Sequence, residues 1–118
     1  STLLKILSRV TAPTSGQVKV GVVGSPPNRR MVVSWVDVPH YYSSVTKFSF
    51  QAIICEGSND IIFQYLNPGS NNTVYGSGKG ATIGIENADG TEACLHSCNA
   101  RSVFNNTALL FTTHATAR

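Results

Sequence analysis

The side chains in this chain that can do chemistry rarely stand at the spacings chemistry needs. Asp37, His40 and Ser43, Ser44 or Ser49 are the residue types of a nucleophile, its base and the carboxylate that orients the base. Such a triad is defined by spatial geometry rather than by nearness in sequence, and the chain has no Gly-x-Ser-x-Gly nucleophile elbow. The group reads as a polar loop after a strand. Gly76-Ser77-Gly78-Lys79-Gly80 has the glycines of a phosphate loop. A phosphate loop needs Lys followed by Ser or Thr at the start of a helix, so that backbone amides converge on the phosphates; here Gly follows Lys79. Asn87-Ala88-Asp89-Gly90 opens like a calcium loop but lacks the downstream Glu that would complete the oxygen shell, so it reads as a hairpin turn. His96 between Cys94 and Cys98 is half of a zinc site, and only the distant His40 or His114 could supply what a four-ligand shell still needs. No catalytic residue, cofactor or metal is nominated, and the chain reads as non-catalytic.

The candidate ligand and interface residues are aromatic and aliphatic. Tyr41, Tyr42 and Tyr75 fall in loops, where exposed rings can stack on a polysaccharide or join a protein interface. Trp35 lies in an apolar strand and is assigned to the core. Leu3, Leu4, Ile6 and Leu7 form a short apolar arm that can pack on its own domain or on a neighbour. Cys55, Cys94 and Cys98 are three thiols, so one disulfide leaves one thiol over. Cys94–Cys98 is the nearest pair in sequence, Cys55 is an alternative partner, and a fully reduced trio is the remaining state. Asn71-Asn72-Thr73 and Asn105-Asn106-Thr107 are glycosylation sequons, without meaning in most bacterial proteins.

Composition narrows the class. At 118 residues the chain fits one domain, and 42% hydrophobic residues can fill a core. Charged residues are 13%, half of the usual ~25%, and Ser, Thr, Asn and Gly supply the polar surface, as in extracellular or cell-surface β-proteins. The net charge of +3 is scattered; only Arg29 and Arg30 adjoin, so no nucleic-acid stripe is present. No window approaches the ~18–20 apolar residues of a membrane span, and no signal peptide is recognisable.

These residues must be positioned by strands. Residues 46–66 read as an antiparallel hairpin: Phe48, Phe50, Ala52 and Ile54 share one face, and Ile61, Phe63 and Tyr65 share a face on the second arm. Residues 56–59 turn between them. Residues 17–23 alternate, with Val18, Val20 and Val22 on one face. Residues 29–38 are apolar on both faces, Met31, Val33 and Trp35 against Val32, Val36 and Val38, which predicts a central strand. Residues 67–80 read as the longest loop, 81–86 as a short strand, 92–106 as irregular, and 107–113 as the closing strand. The expected fold is all-β, an antiparallel β-sandwich of about six to eight strands. Residues 1–16 form an arm and linker with at most one short helix, 17–113 the sandwich and 114–118 a tail.

Three stretches carry a resemblance: Trp35-Val36-Asp37-Val38, residues 56–65 (EGSNDIIFQY) and residues 84–91 (GIENADGT). Together they resemble the C-terminal half of a nidogen-like β-sandwich module of large secreted bacterial proteins, often found beside subtilisin-like protease or adhesion domains. The resemblance implies an accessory or binding role without catalytic residues. The module's upstream strands are missing from the pattern, and a sandwich short of strands exposes edges that template pairing with another chain. The resulting expectation is a structural or adhesion module that self-associates through sheet edges or its arm, as a homo-oligomer or a filament. The alternative is a carbohydrate-binding accessory module.

Overall fold

A computed structural model of the chain describes residues 16–40 and 45–112. The arm residues Leu3, Leu4, Ile6 and Leu7, the loop tyrosines Tyr41 and Tyr42, the loop serines Ser43 and Ser44 and the 114–118 tail lie outside the described residues. The described residues form seven antiparallel strands: β1 (Gln17–Val23), β2 (Arg30–Pro39), β3 (Lys47–Cys55), β4 (Ile61–Pro68), β5 (Thr82–Glu86), β6 (Ala93–Cys98) and β7 (Thr107–Phe111). One sheet has the order β1-β2-β3-β4-β7 and the other is the β5-β6 hairpin. Among the described residues no helix is long and apolar enough to cross a membrane.

The expected hairpin is the middle of the large sheet, and its pairing follows the alternation: Phe50 faces Tyr65, Ala52 faces Phe63 and Ile54 faces Ile61. β2 is central, between β1 and β3, with Trp35 opposite Phe50 and Val33 opposite Ala52. Cross-strand partners share a face, so the inner face is apolar strand after strand. Val33, Trp35, Ala52, Phe63 and Tyr65 are buried there. Ile83 from the small sheet and Val103 from the segment after β6 complete the buried cluster.

Among the described residues three register slips interrupt the alternation, one of them between β3 and β4, where Phe50 pairs with Tyr65 but Ser49 with Asn67; the other two correct the sequence reading. The register of β2 on β3 slips between Trp35 and Val38. Asp37 takes φ 51°, its amide donates to Ser49 Oγ (2.9 Å), and that hydroxyl lies 3.3 Å from Asp37 Oδ1. The extra residue turns Val38 from the outer face, where strict alternation put it, into the core beside Trp35. The second bulge corrects the irregular reading of residues 92–106. β6 carries His96 as an extra residue opposite β5, since Ile83 pairs with Ser97 but Gly84 with Leu95. A bulge within six residues erases the period of two, which hid the strand.

The long loop after β4 is ordered around Arg101. Its guanidinium donates to the carbonyls of Asn72 (2.8 Å) and Ser70 (3.1 Å), with Gly76 O at 3.5 Å. Ser77 is fully buried, hydrogen-bonded to Ser70 Oγ and, through its amide, to Pro68 O. A Cβ on Gly76 would stand 1.7 Å from Gly69 O, so only glycine fits where the loop crosses itself. At the opposite end of the large sheet, Arg29 grips Glu56 in a two-pronged pair, Nε to Oε2 at 2.8 Å and Nη2 to Oε1 at 2.6 Å. The Arg29 amide also donates to Oε2 and the Glu56 amide to Arg29 O. This staples the start of β2 to the β3–β4 turn.

Replacing Arg101 by Ala removes charge-assisted bonds to backbone carbonyls and is expected to cost roughly 1.5–3 kcal/mol of stability, read from urea unfolding. Arg101→Lys should recover only part, because an ammonium lacks the planar fork. Glu56 is held at about 2, first by the Arg29 side-chain hydrogen bond and then by the Arg29 amide. Its folded value lies below its unfolded value, so its contribution is present above the usual 4.5 and is lost as pH falls through about 2. The urea midpoint should therefore drop across that window, by a small amount because the pair is solvent-exposed, and Glu56→Gln should flatten that part of the profile.

Candidate functional site

Two surfaces stand out, and both follow from the unequal width of the sheets. The large sheet has five strands and the small one two. The first surface is on β1. Val18 pairs with Trp35, Val20 with Val33 and Val22 with Met31, so the three valines continue the inner face of the sheet. Trp35 and Val33 are each only 2% exposed, yet Val18, Val20 and Val22 are 43%, 66% and 62% exposed. Among the described residues the cover stops at β2. β1 pairs with β2 alone among the described residues, so it is also an edge strand, opposite β7 at the other end.

The second surface is the cleft between the sheets, a cavity of about 660 Å³. Its floor is the cross-strand row Trp35–Phe50–Tyr65. Trp35 stacks on Phe50 at 4.9 Å between centroids and 19° between planes, and Phe50 meets Tyr65 at 6.0 Å. Ile83, Ile85 and Val103 line it from other elements. His40, which follows β2, stacks on Tyr75 at 4.3 Å and 17°, and both rings belong to the lining. Burial pushes the Tyr65 phenol well above its ordinary value, so it stays neutral at physiological pH.

Several residues singled out by their types are used structurally. Asp37 and Ser49 bond to each other within the bulge, while the His40 ring lies on Tyr75. Asp89 accepts from the Thr91 hydroxyl (2.7 Å) and amide, and Asn87 Oδ1 accepts from the Glu92 amide; these oxygens build the β5–β6 turn. Tyr75 is half-buried rather than a free platform, since one face of its ring is taken by His40. The residues the sequence did not single out as a site are Phe50 and Tyr65, which read only as core. Their distinguishing signal is an aromatic row at one register across β2, β3 and β4, visible only once the pairing is known.

The cysteines require a correction. Cys55, Cys94 and Cys98 are all free thiols, Cys55 buried and the others exposed. Nearness in sequence favoured Cys94–Cys98, but the two lie on one extended strand, where four residues span about 13 Å, against less than ~7 Å between the Cα atoms of a disulfide. The bulge at His96 also turns them to opposite faces: Cys94 pairs with Ile85 and Cys98 with Thr82. Brief iodoacetamide treatment of the native protein should therefore add two adducts, at Cys94 and Cys98, with Cys55 modified only on unfolding; mass spectrometry of the digested protein reads this directly.

A family model described as NIDO related matches residues 6–117. No curated protein and no solved structure matches the chain. The family match takes in both sheets, the Arg101-latched loop and the stretch of sequence that leads into β1. The chain belongs to the NIDO-related, that is nidogen-related, family of modules.

Proposed function

We propose that this module acts outside the cell as a non-catalytic structural or adhesion unit, and that it self-associates through β1. The observation that supports this reading is the uncovered continuation of the core face at Val18, Val20 and Val22. An edge strand is a template for another strand, and in this one the free edge coincides with exposed apolar side chains. A second copy presenting its own β1 makes a self-complementary two-fold contact. That contact extends the sheet and lets the two rows of valines shield one another. Covering three valine side chains supplies on the order of a few kcal/mol, beside the backbone bonds of the new ladder. A β1 edge meeting a β7 edge instead is a head-to-tail contact, and that geometry propagates into a filament. Membership of the nidogen-related family and the low charge of the chain support an extracellular setting. The apolar arm at Leu3, Leu4, Ile6 and Leu7 is a further contributor to the contact in this reading.

The test is Val20→Lys, which places a charge on the inner side of the edge, a device that blocks edge pairing. Sedimentation velocity over micromolar to millimolar concentrations should show the native chain associating and Val20→Lys remaining monomeric, with similar circular dichroism. A native chain that stays monomeric throughout overturns the reading.

A further inference from the structure

The inter-sheet cleft carries a feature that packing alone does not explain. Tyr65 is 8% exposed, on the floor of the cleft, between β3 and β7 in the sheet. A buried tyrosine normally spends its hydroxyl on a partner. Here no described residue donates to that hydroxyl or accepts from it. No fully buried side-chain oxygen or nitrogen lacks a partner among the described residues. The Tyr65 hydroxyl is therefore not sealed in the core, and the cleft is the cavity that its residue lines. Burial alone makes this phenol a weaker acid than usual, which agrees with a hydroxyl held among rings with no bonding partner among the described residues.

The rest of the lining defines what such a hydroxyl would meet. Trp35 and Phe50 extend the floor as stacked rings, and Ile83, Ile85 and Val103 add aliphatic surface. Its size falls within the ~300–1,000 Å³ of small-molecule sites, which are mostly apolar with a few placed polar groups. Glu86 is the one carboxylate among the described lining residues, and its charge disfavours an anionic guest. A sugar, with a hydroxyl on nearly every carbon, would leave most of them unpaired against these walls, at a cost for each.

We propose that this cleft binds a neutral, largely apolar small molecule carrying one hydroxyl or carbonyl group, with its rings or chain on Trp35 and Phe50 and its polar group on the Tyr65 hydroxyl. The phenol can donate to a carbonyl or accept from a hydroxyl, so it selects for one polar group in an otherwise apolar guest. The site lies within one chain and does not depend on self-association.

The test uses 2-naphthol and naphthalene, which differ by the single hydroxyl. Titrations followed by the fluorescence of Trp35, the only tryptophan, and by calorimetry should show one site per chain. One hydrogen bond gives 2-naphthol a roughly three- to tenfold tighter affinity than naphthalene. Tyr65→Phe keeps the ring and removes only an unpartnered hydroxyl, so the variant should fold. In it the two affinities should converge, with naphthalene unchanged. Absence of binding by both probes overturns the proposal. So do equal affinities in the native chain, or a preference for 2-naphthol that survives in Tyr65→Phe. Proton NMR supplies an independent reading on the native chain: bound 2-naphthol should show cross-relaxation to the Tyr65 ring, and contacts confined to other residues overturn the assignment.

Discussion

A sheet with one apolar face must bury that face against something, and in this module the cover is narrower than the surface it covers. Among the described residues, five strands present Val, Met, Trp, Phe, Ile, Leu and Tyr side chains on one side, while the opposing layer is a single two-stranded hairpin with the loop segment that carries Val103. The centre of the sheet, β2 to β4, is consequently the core. What lies beyond that cover keeps the same side-chain chemistry without the same burial. Both surfaces to which we attach function, the valine row on β1 and the cleft beneath the hairpin, come from this mismatch.

The irregular features maintain the mismatch rather than relieve it. The bulge at Asp37 swings Val38 into the core and is held by the reciprocal Asp37–Ser49 contacts. The bulge at His96 places Leu95 opposite Gly84, where a Cβ would press on the Cys94 carbonyl. Arg101 locks the loop after β4 by bonding to backbone carbonyls, and Ser77 in that loop receives the amides of Ser102 and Val103. Val103 thus reaches the core because a polar network aims it there. With its supports satisfied by hydrogen bonds, the small sheet can stand over the aromatic floor without filling all of the space above it.

Nearly all residues that invite a chemical reading turn out to hold up this frame. The acidic and amide side chains of the β5–β6 turn bond to their own backbone. The Asp37 carboxylate sits in a bulge, and the cysteines are thiols pointing different ways along one strand or buried in another. Tyr65 differs from them, being deeply buried and polar, with no hydrogen-bond partner among the described residues. A hydrophobic core tolerates such a group only where its polar atom has another outlet, and here the outlet is the cleft.

Local pattern determined much of this protein. The alternation in residues 17–23 and 46–66, the doubly apolar stretch that became β2, and the Asn87–Gly90 turn follow from side-chain period and turn chemistry, and the three family-like stretches all fall on these elements. The bulges were not legible, because one inserted residue reverses the face of everything after it and depends on partners distant in sequence, Ser49 for Asp37 and Gly84 for His96. Nor could a period of two say which apolar faces would be covered. Val18 and Val33 look alike in the sequence, and so do Phe63 and Tyr65. Only the pairing of the strands and the width of the second sheet decided that Val33 is buried while Val18 is exposed, and that Tyr65 lines a cavity.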